Sequence, residues 1–410
     1  MYLALANLLH HKVRSLLSAL AVGIGVAMLV TLLGLTHGSL DEISQRGGAI
    51  DADFLVMPNN WNSVMGGAVF SEAHVAKGLA LKTESDAPLA AAIGPVYRDM
   101  TSINRIDAVK RAKDLQTVFG IHPAGRQFFG GIPLAGGSMF EEPADREGQL
   151  IDLLNRGIDG QLHPASQPNE ADRKTLAAAL VMVVDQRLAD FAGIHVGDKV
   201  EAFGRPFTVV GIARTGVAVR VFVPLSTMWF INESPRRATF LLVKLAPGAD
   251  AAAAKATLAR ELGGNVLTVQ EYSNLLTELW AIIPQYTQIT SLVVLAVAFL
   301  FVLVIMYTLV IQRTREIGVL KALGAGTGYI VGIVLAESMI LSLAGTVFGL
   351  AASFGAKAAI MHFKPLLTVD LNWRYLLTGL ATGVVGGVLS GLYPAAVAAR
   401  QDPVTALSYE

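Results

Sequence analysis

The chain has 410 residues, no net formal charge at pH 7 and no cysteine. Hydrophobic residues make up 53% of it and charged residues only 16%, against roughly 25% in ordinary soluble proteins. Balanced charge argues against binding nucleic acid through bulk attraction, and the missing cysteine excludes disulfides, thiolate metal sites and a thiol nucleophile.

Taken in chain order, residues 1–15 carry Lys12 and Arg14 and no acid, and 15–40 carry no charge at all. A secretory signal would have an apolar core of about 7–15 residues ending at small residues. This stretch runs further without such an end, so 16–37 reads as a retained transmembrane helix. Uncharged stretches return at 279–312, 338–356 and 375–399, the second extended backwards by apolar residues to about 328. A helix needs about 20 apolar residues to cross a bilayer. The remaining spans are therefore placed at 287–311, 328–355 and 375–398, joined by 312–327 and a short loop 356–374 and followed by a tail 399–410. Lys12, Arg14, Arg313, Arg315, Lys321 and Arg400 fall on one side, which the positive-inside rule assigns to the cytoplasm together with both termini. Lys357, Lys364 and Arg374 in the short loop count the other way. The fold class expected is an α-helical membrane protein with four transmembrane helices and a large α+β extracytoplasmic domain, 38–286, inserted between helices one and two.

Within that domain, 53–57 reads as a strand and 181–185 as a strand leading into a short helix. A hairpin is expected from 199–203 and 206–212 around Gly204-Arg205. Residues 239–245, 249–262 and 265–269 read as strand, helix and strand, with Pro247-Gly248 and Gly263-Gly264 as the breaks. Glycine-rich 124–137, polar 161–172 and 61–68 read as loops. Residues 271–283 read as a helix that continues helix two as a stalk, apolar at Leu275, Leu276 and Leu279, with a kink at Pro284 near the membrane surface.

No motif of catalysis is present. There is no G-x-x-x-x-G-K-[ST], H-E-x-x-H or G-x-S-x-G. Gly324-Ala325-Gly326-Thr327-Gly328 lacks the phosphate-binding lysine and reads as the turn that ends a helix. His10-His11 sits at headgroup level, and His74, His122, His163 and His195 lack metal-ligand spacing, so no metal site is assigned. Glu337 is the one acid inside a span. It either pairs towards Arg313 and Arg315 or serves ion movement, for which it lacks a chain of partners. Small residues recur at helical spacing: Ala19, Gly23 and Ala27 in helix one; Gly345 and Gly349 in helix three; Gly379, Gly383, Gly387 and Gly391 in helix four. Such ladders let helix backbones approach in lipid. The ladder of helix four is expected to pack within the chain, that of helix one between two copies.

The strongest local signal is Gln312-Arg313-Thr314-Arg315-Glu316-Ile317-Gly318-Val319-Leu320-Lys321-Ala322-Leu323-Gly324. It reads as a short amphipathic helix, apolar at Ile317, Leu320 and Leu323 and stopped by Gly324, pinned between two spans where it can dock a cytoplasmic partner.

That segment, with Leu335-Ala336-Glu337-Ser338 after it, resembles the signature of the FtsX-like permease family and its MacB-like branch. Ala6-Asn7-Leu8-Leu9 through Gly23-Ile24-Gly25-Val26 resembles the family's opening, and Gly391-Leu392-Tyr393-Pro394-Ala395 through Ala406-Leu407 its close. Val183-Val184-Asp185, Gly197-Asp198-Lys199-Val200, Val209-Val210-Gly211-Ile212 and Val221-Phe222-Val223-Pro224-Leu225 resemble its outer domain. The resemblance implies a homodimeric, non-catalytic ABC-transporter permease of the mechanotransmission type in a bacterial inner membrane. It implies an outer domain with a porter-like part, 40–120 and 220–286, and an inserted subdomain, 121–219. The coupling residues would be Arg313, Arg315, Glu316, Ile317, Gly318, Leu320, Lys321, Leu323 and Gly324. A separate cytoplasmic ATPase subunit would hold the ATP and Mg, this chain binding no cofactor and no nucleic acid, with a periplasmic adaptor or outer-membrane factor as a further partner. The work done would be export or extraction of an outer-side substrate or, alternatively, FtsX-like signalling to a cell-wall hydrolase.

Overall fold

The computed structural model describes residues 12–59, 70–83, 86–106, 114–143, 145–156, 169–280 and 282–402. The opening motif at 6–9, His10, His11, His163, the loop expected at 61–68, most of that at 161–172 and the closing Pro403, Ala406 and Leu407 lie outside the described residues. The chain forms two compact units. One is Glu42–Glu278; the other comprises the chain up to Asp41 and from Leu279 onward.

Glu42–Glu278 is built on one sheet. Its spatial order is β13 (Gly264–Thr268), β1 (Phe54–Pro58), β12 (Phe240–Leu245), β3 (Ala90–Ser102), β5 (Leu115–Ile121), β10 (Val221–Pro224), β7 (Val181–Asp185), β9 (Arg205–Ala213), β8 (Lys199–Ala202) and β4 (Asn104–Arg105), with β6 (Leu134–Gly137) also on β9. Neighbours are antiparallel except β5–β10 and β7–β9. A separate two-stranded ladder joins β2 (Phe70–Ser71) to β11 (Arg237–Ala238). Burial follows sequence pattern. Val-Met-Val-Val-Asp of β7 is buried throughout, as a strand covered on both faces requires, whereas β9 alternates buried with half-buried positions from Phe207 to Ala213. The β8–β9 hairpin turns at Phe203-Gly204, one residue before the expected Gly204-Arg205. Both carry positive φ, 52° and 69°, as a two-residue hairpin turn demands.

The core of this unit is aromatic. Phe119 meets Phe240 and Phe129 meets Phe222, each pair edge-on at 5.5 Å, and Phe240 leans on Tyr272 at 6.3 Å. Full burial of each such ring is worth about 1.5–3 kcal/mol. The helix Ala251–Leu262 starts where Asp250 accepts from the backbone N–H groups of Ala252 and Ala253, and it stops at Gly263 in the left-handed region. The glycine-rich 124–137, expected as loop, contributes a 3₁₀ helix at Pro123–Phe129 and the strand β6.

Among the described residues, the helices Lys12–Gly48, Ile282–Gln312, Thr327–Phe363 and Trp373–Arg400 are apolar and long enough to cross a membrane; all but residues 42–48 of the first belong to the helical unit. The first and third have 37 residues each, about 55 Å at 1.5 Å per residue, well beyond the roughly 30 Å of a hydrocarbon core.

Two expectations are corrected here. Helix one was expected to use its small-residue ladder between copies, but that face packs on helix three of the same chain. A Cβ added to Gly23 would lie 2.7 Å from the Phe348 ring and 3.0 Å from the Gly345 carbonyl oxygen; one added to Gly345 would lie 2.5 Å from the Ala19 carbonyl oxygen. Gly349 abuts Gly23 and Val26, while Ala27 is half-buried. Helix four packs its glycines within the chain: Gly379 on Val30, Gly383 on Thr346, Gly387 on Ser342 and Gly391 on Ser338. The Ser338 hydroxyl also donates to the Gly387 carbonyl at 2.6 Å.

The stalk is not one helix. Val269–Leu279 ends before Ile282–Gln312 begins. Pro284 is the reason: an unbroken helix would need its N–H to reach the Trp280 carbonyl, and proline has none. Instead the Ile283 N–H donates to Trp280 at 2.9 Å, and Pro284 sits in the first turn of the new helix, where no N–H is required, rather than at a kink inside a longer one. Leu276 packs on the aromatic core, Leu275 is half-buried and Leu279 is exposed.

Candidate functional site

The segment after helix two folds as a short helix, Thr314–Ala322. Its end is a complete Schellman closure. The Gly324 N–H donates to the Lys321 carbonyl and the Ala325 N–H to the Leu320 carbonyl, each at 3.0 Å, with Gly324 at φ 96°. Glycine is required there because a side chain is strained at that φ.

Three attachments hold this helix to the spans. Arg313 donates to the Glu337 carboxylate of helix three at 3.1 Å, and both side chains are largely buried, 12% and 6% exposed. Removing one partner of such a pair costs about 3–5 kcal/mol, because the other charge stays buried alone. Lys321 donates to the carbonyls of Ala399 and Gln401, both at 2.7 Å, placing a cation on the unsatisfied C-terminal end of helix four. Gln401 completes the contact by donating to the Thr314 hydroxyl at 3.2 Å. The segment is thus continuous with helix two and bonded to helices three and four. Glu337 serves here as the anchor of Arg313.

The two faces of the helix differ from the expected stripe. Ile317 and Gly318 are buried, and Leu320 packs on the bundle core beside Val334 and Ile330. A small cleft of about 80 Å³ lies against Ile317, Leu320, Ile333 and Glu337. Leu323, by contrast, is 80% exposed and Val319 42%, with Arg315 and Glu316 exposed beside them. Helical geometry explains the split. At about 100° per residue, Leu323 lies roughly 120° around the helix from Ile317, while Arg315, Val319 and Leu323 follow one another at i, i+4 on one outward stripe. Spacings of three drift off a face that spacings of four and three alternately would hold. The sequence reading therefore joined one outward residue, Leu323, to two inward ones and passed over Val319, Thr314 and Gln401. The i, i+4 relation of Arg315, Val319 and Leu323 was the signal available for Val319.

Among the described histidines of the sheet unit, two serve as local caps, His122 accepting from the Ala124 N–H and His74 from the Ser71 N–H, while the His195 ring lies 3.6 Å from the Asp198 carboxylate. Among the described residues no three His, Asp or Glu side chains converge on a metal position.

A family model described as a MacB-like periplasmic core domain matches residues 15–261, and one described as an FtsX-like permease C-terminal matches residues 289–403. The macrolide export ATP-binding/permease protein MacB of Neisseria gonorrhoeae is 23% identical over 98% of this chain. That match covers 59% of MacB, so the chain spans about three fifths of the length of this relative. The uncharacterized ABC transporter permease YknZ of Bacillus subtilis is also 23% identical, over 100% of this chain and 98% of its own. Among solved structures, the periplasmic region of MacB from Actinobacillus actinomycetemcomitans matches 56% of this chain and 94% of that one, at 12% identity and a TM-score of 0.38. With the periplasmic-core model covering more than half of the chain and the permease model covering the three helices beyond it, this multi-pass membrane protein belongs to the MacB-type, FtsX-like family of ABC transporter permeases.

Proposed function

We propose that an ABC ATPase docks on the outward stripe of the 312–324 segment and that its ATP-driven movement passes through the helices to the extracytoplasmic domain, driving export or extraction of an outer-side substrate. One observation carries the reading: a short helix continuous with helix two and bonded to helices three and four keeps an apolar and basic stripe, Arg315, Val319 and Leu323, exposed among the described residues. An element so held cannot shift without moving helices two, three and four with it. The family resemblance supports an ATPase as the partner and a second copy of this chain in the complex. Purification from native membranes is expected to recover the chain with a nucleotide-binding subunit whose ATP hydrolysis responds to the outer-side substrate. A pure, stable assembly that contains no nucleotide-binding domain overturns the reading.

The orientation has its own test. We place both ends of the chain and the 312–324 segment in the cytoplasm. The native chain has no cysteine, so Asp250→Cys and Gly326→Cys can each be labelled cleanly. In intact spheroplasts an impermeant thiol reagent is expected to label position 250 and spare 326; labelling of 326 alone inverts the topology.

A further inference from the structure

The far end of helix one carries a cluster of charges that the coupling segment does not use. Glu42 and Arg46, one turn apart, lie on the same helix face, and Arg46 Nε donates to Glu42 Oε1 at 3.0 Å. The same Glu42 oxygen accepts from Arg220 at 2.7 Å, and its other oxygen accepts from Arg187 at 3.0 Å. Arg46 reaches onward, to Asp185 Oδ2 at 2.9 Å and to the Val217 carbonyl at 3.0 Å. Asp185 is fully buried, and its second oxygen caps the helix Gln186–Ala192 by accepting from the Leu188 N–H at 2.8 Å. Burial, reinforced by the neighbouring Arg46, holds the Arg220 guanidinium below its ordinary pKa.

The place matters as much as the charges. Asp185 ends β7 and Arg220 precedes β10, strands that pair in the middle of the sheet. The Asp185 N–H donates to the Arg220 carbonyl at 2.7 Å. Elsewhere on the same helical end, Ser44 bonds Ser273 at 2.9 Å, and Gly47 lies against the Ser273 backbone. Apolar contact is non-directional and lets a helix roll. Charge-assisted hydrogen bonds to a guanidinium fix angle as well as distance, so a face carrying Glu42 and Arg46 admits one azimuth. A buried ion cluster is a poor source of net stability, but it can specify a geometry.

We propose that Glu42 is a positioning residue that locks the rotation of helix one to the centre of the extracytoplasmic sheet, making the helix a lever on β7 and β10. This rests on the mechanical reading above and adds the joint through which it acts. The helix is unbroken from Lys12 to Gly48, so a turn or pull applied along it arrives at Glu42. Arg187 and Arg220 then carry the displacement into two strands that are distant in sequence.

The test uses the full chain with its co-purified ATPase and Asp190→Cys and Leu367→Cys spin-labelled as a pair. The label distance is measured by double electron–electron resonance, nucleotide-free and trapped with ADP and vanadate. With native Glu42 a nucleotide-linked shift is expected; its absence removes the mechanical reading itself, and the joint with it. With Glu42→Gln, which keeps the shape and removes the charge, the shift is expected to fall to less than half while basal ATP hydrolysis stays at the native level; the thermal unfolding midpoint falls as well, because Arg46, Arg187 and Arg220 lose their shared carboxylate. A shift of native size in Glu42→Gln overturns the joint and leaves the mechanical reading standing. Should Glu42→Gln fail to fold, Glu42→Asp keeps the charge but, one methylene shorter, cannot reach Arg187 and Arg220 together. The same loss is expected there, and a native shift overturns the proposal.

Discussion

Leu323→Asp is expected to strip the ATPase from the membrane subunit, whereas Ile317→Asp is expected to damage the bundle itself. Leu323 is 80% exposed on the outward stripe of the short helix Thr314–Ala322 and its cap, and Ile317 is 8% exposed on its inward side. A leucine anchor at the centre of a docking patch contributes about 2–4 kcal/mol when it is a hot spot, and each 1.4 kcal/mol is roughly tenfold in affinity. Leu323→Asp should therefore weaken ATPase binding by about thirty-fold or more, with the melting midpoint of the purified permease unchanged. Val319→Asp should act in the same direction more weakly, since Val319 is half as exposed. Ile317→Asp puts a second carboxylate into the cleft where Glu337 already takes up Arg313, and burying that charge costs several kcal/mol, which should lower the midpoint and the yield. Affinity by titration of the ATPase and stability by thermal unfolding separate the two effects. If Leu323→Asp binds the ATPase as tightly as the native chain, the outward stripe is not the dock.

That division was only half legible in the sequence. The membrane helices were, because a bilayer imposes a length and forbids charge, and both are one-dimensional signals. Short strands closed by glycine were legible too, such as β12 and β13 flanking the helix capped by Asp250. β3, the long strand Ala90–Ser102, was not. Its Ala-Ala-Ala-Ile-Gly-Pro opening has neither alternation nor β-branched density, and it is held instead by pairing with β12 and β5. The segment 312–324 stands out by its amphipathic content, but a spacing of three residues does not hold one helical face. The Glu42 cluster was invisible because Glu42 and Arg46 are bonded to Asp185, Arg187 and Arg220 across 139 to 178 residues. Asp185 was singled out in the Val-Val-Asp run as part of a family motif. Its role as the meeting point of a helix cap and an ion pair needs the fold. The break before Ile282 was foreshadowed by Pro284, yet a proline near a helix start permits either a kink or a fresh first turn, and the backbone takes the second.

The break changes where stiffness should matter. Three glycines inserted after Leu40, inside the unbroken first helix, are expected to abolish the nucleotide-linked movement of the extracytoplasmic domain. The same insertion after Leu279 should leave much of it. Three added residues rotate everything beyond them by about 300° and lengthen the path by about 4.5 Å. Each glycine also costs about 1 kcal/mol of helix propensity. In helix one this both softens the rod and turns Glu42 and Arg46 away from the azimuth set by the membrane-embedded part, so the joint can form only if the helix above the insertion swivels free. After Leu279 the chain is already interrupted, Val269–Leu279 having ended before Ile282, so added glycine lengthens a connection that is not a rod. The measurement is the trapped-minus-free label distance between positions 190 and 367, with ATP hydrolysis and ATPase co-purification as controls for assembly. A greater loss from the insertion after Leu279 than from the one after Leu40 would transfer the mechanical role to helix two. Equal and complete loss from both would mean that the two connections act as a pair. Retained movement after the Leu40 insertion would make helix one an anchor rather than a lever, because a softened and rotated rod cannot deliver torque to a joint that admits a single azimuth.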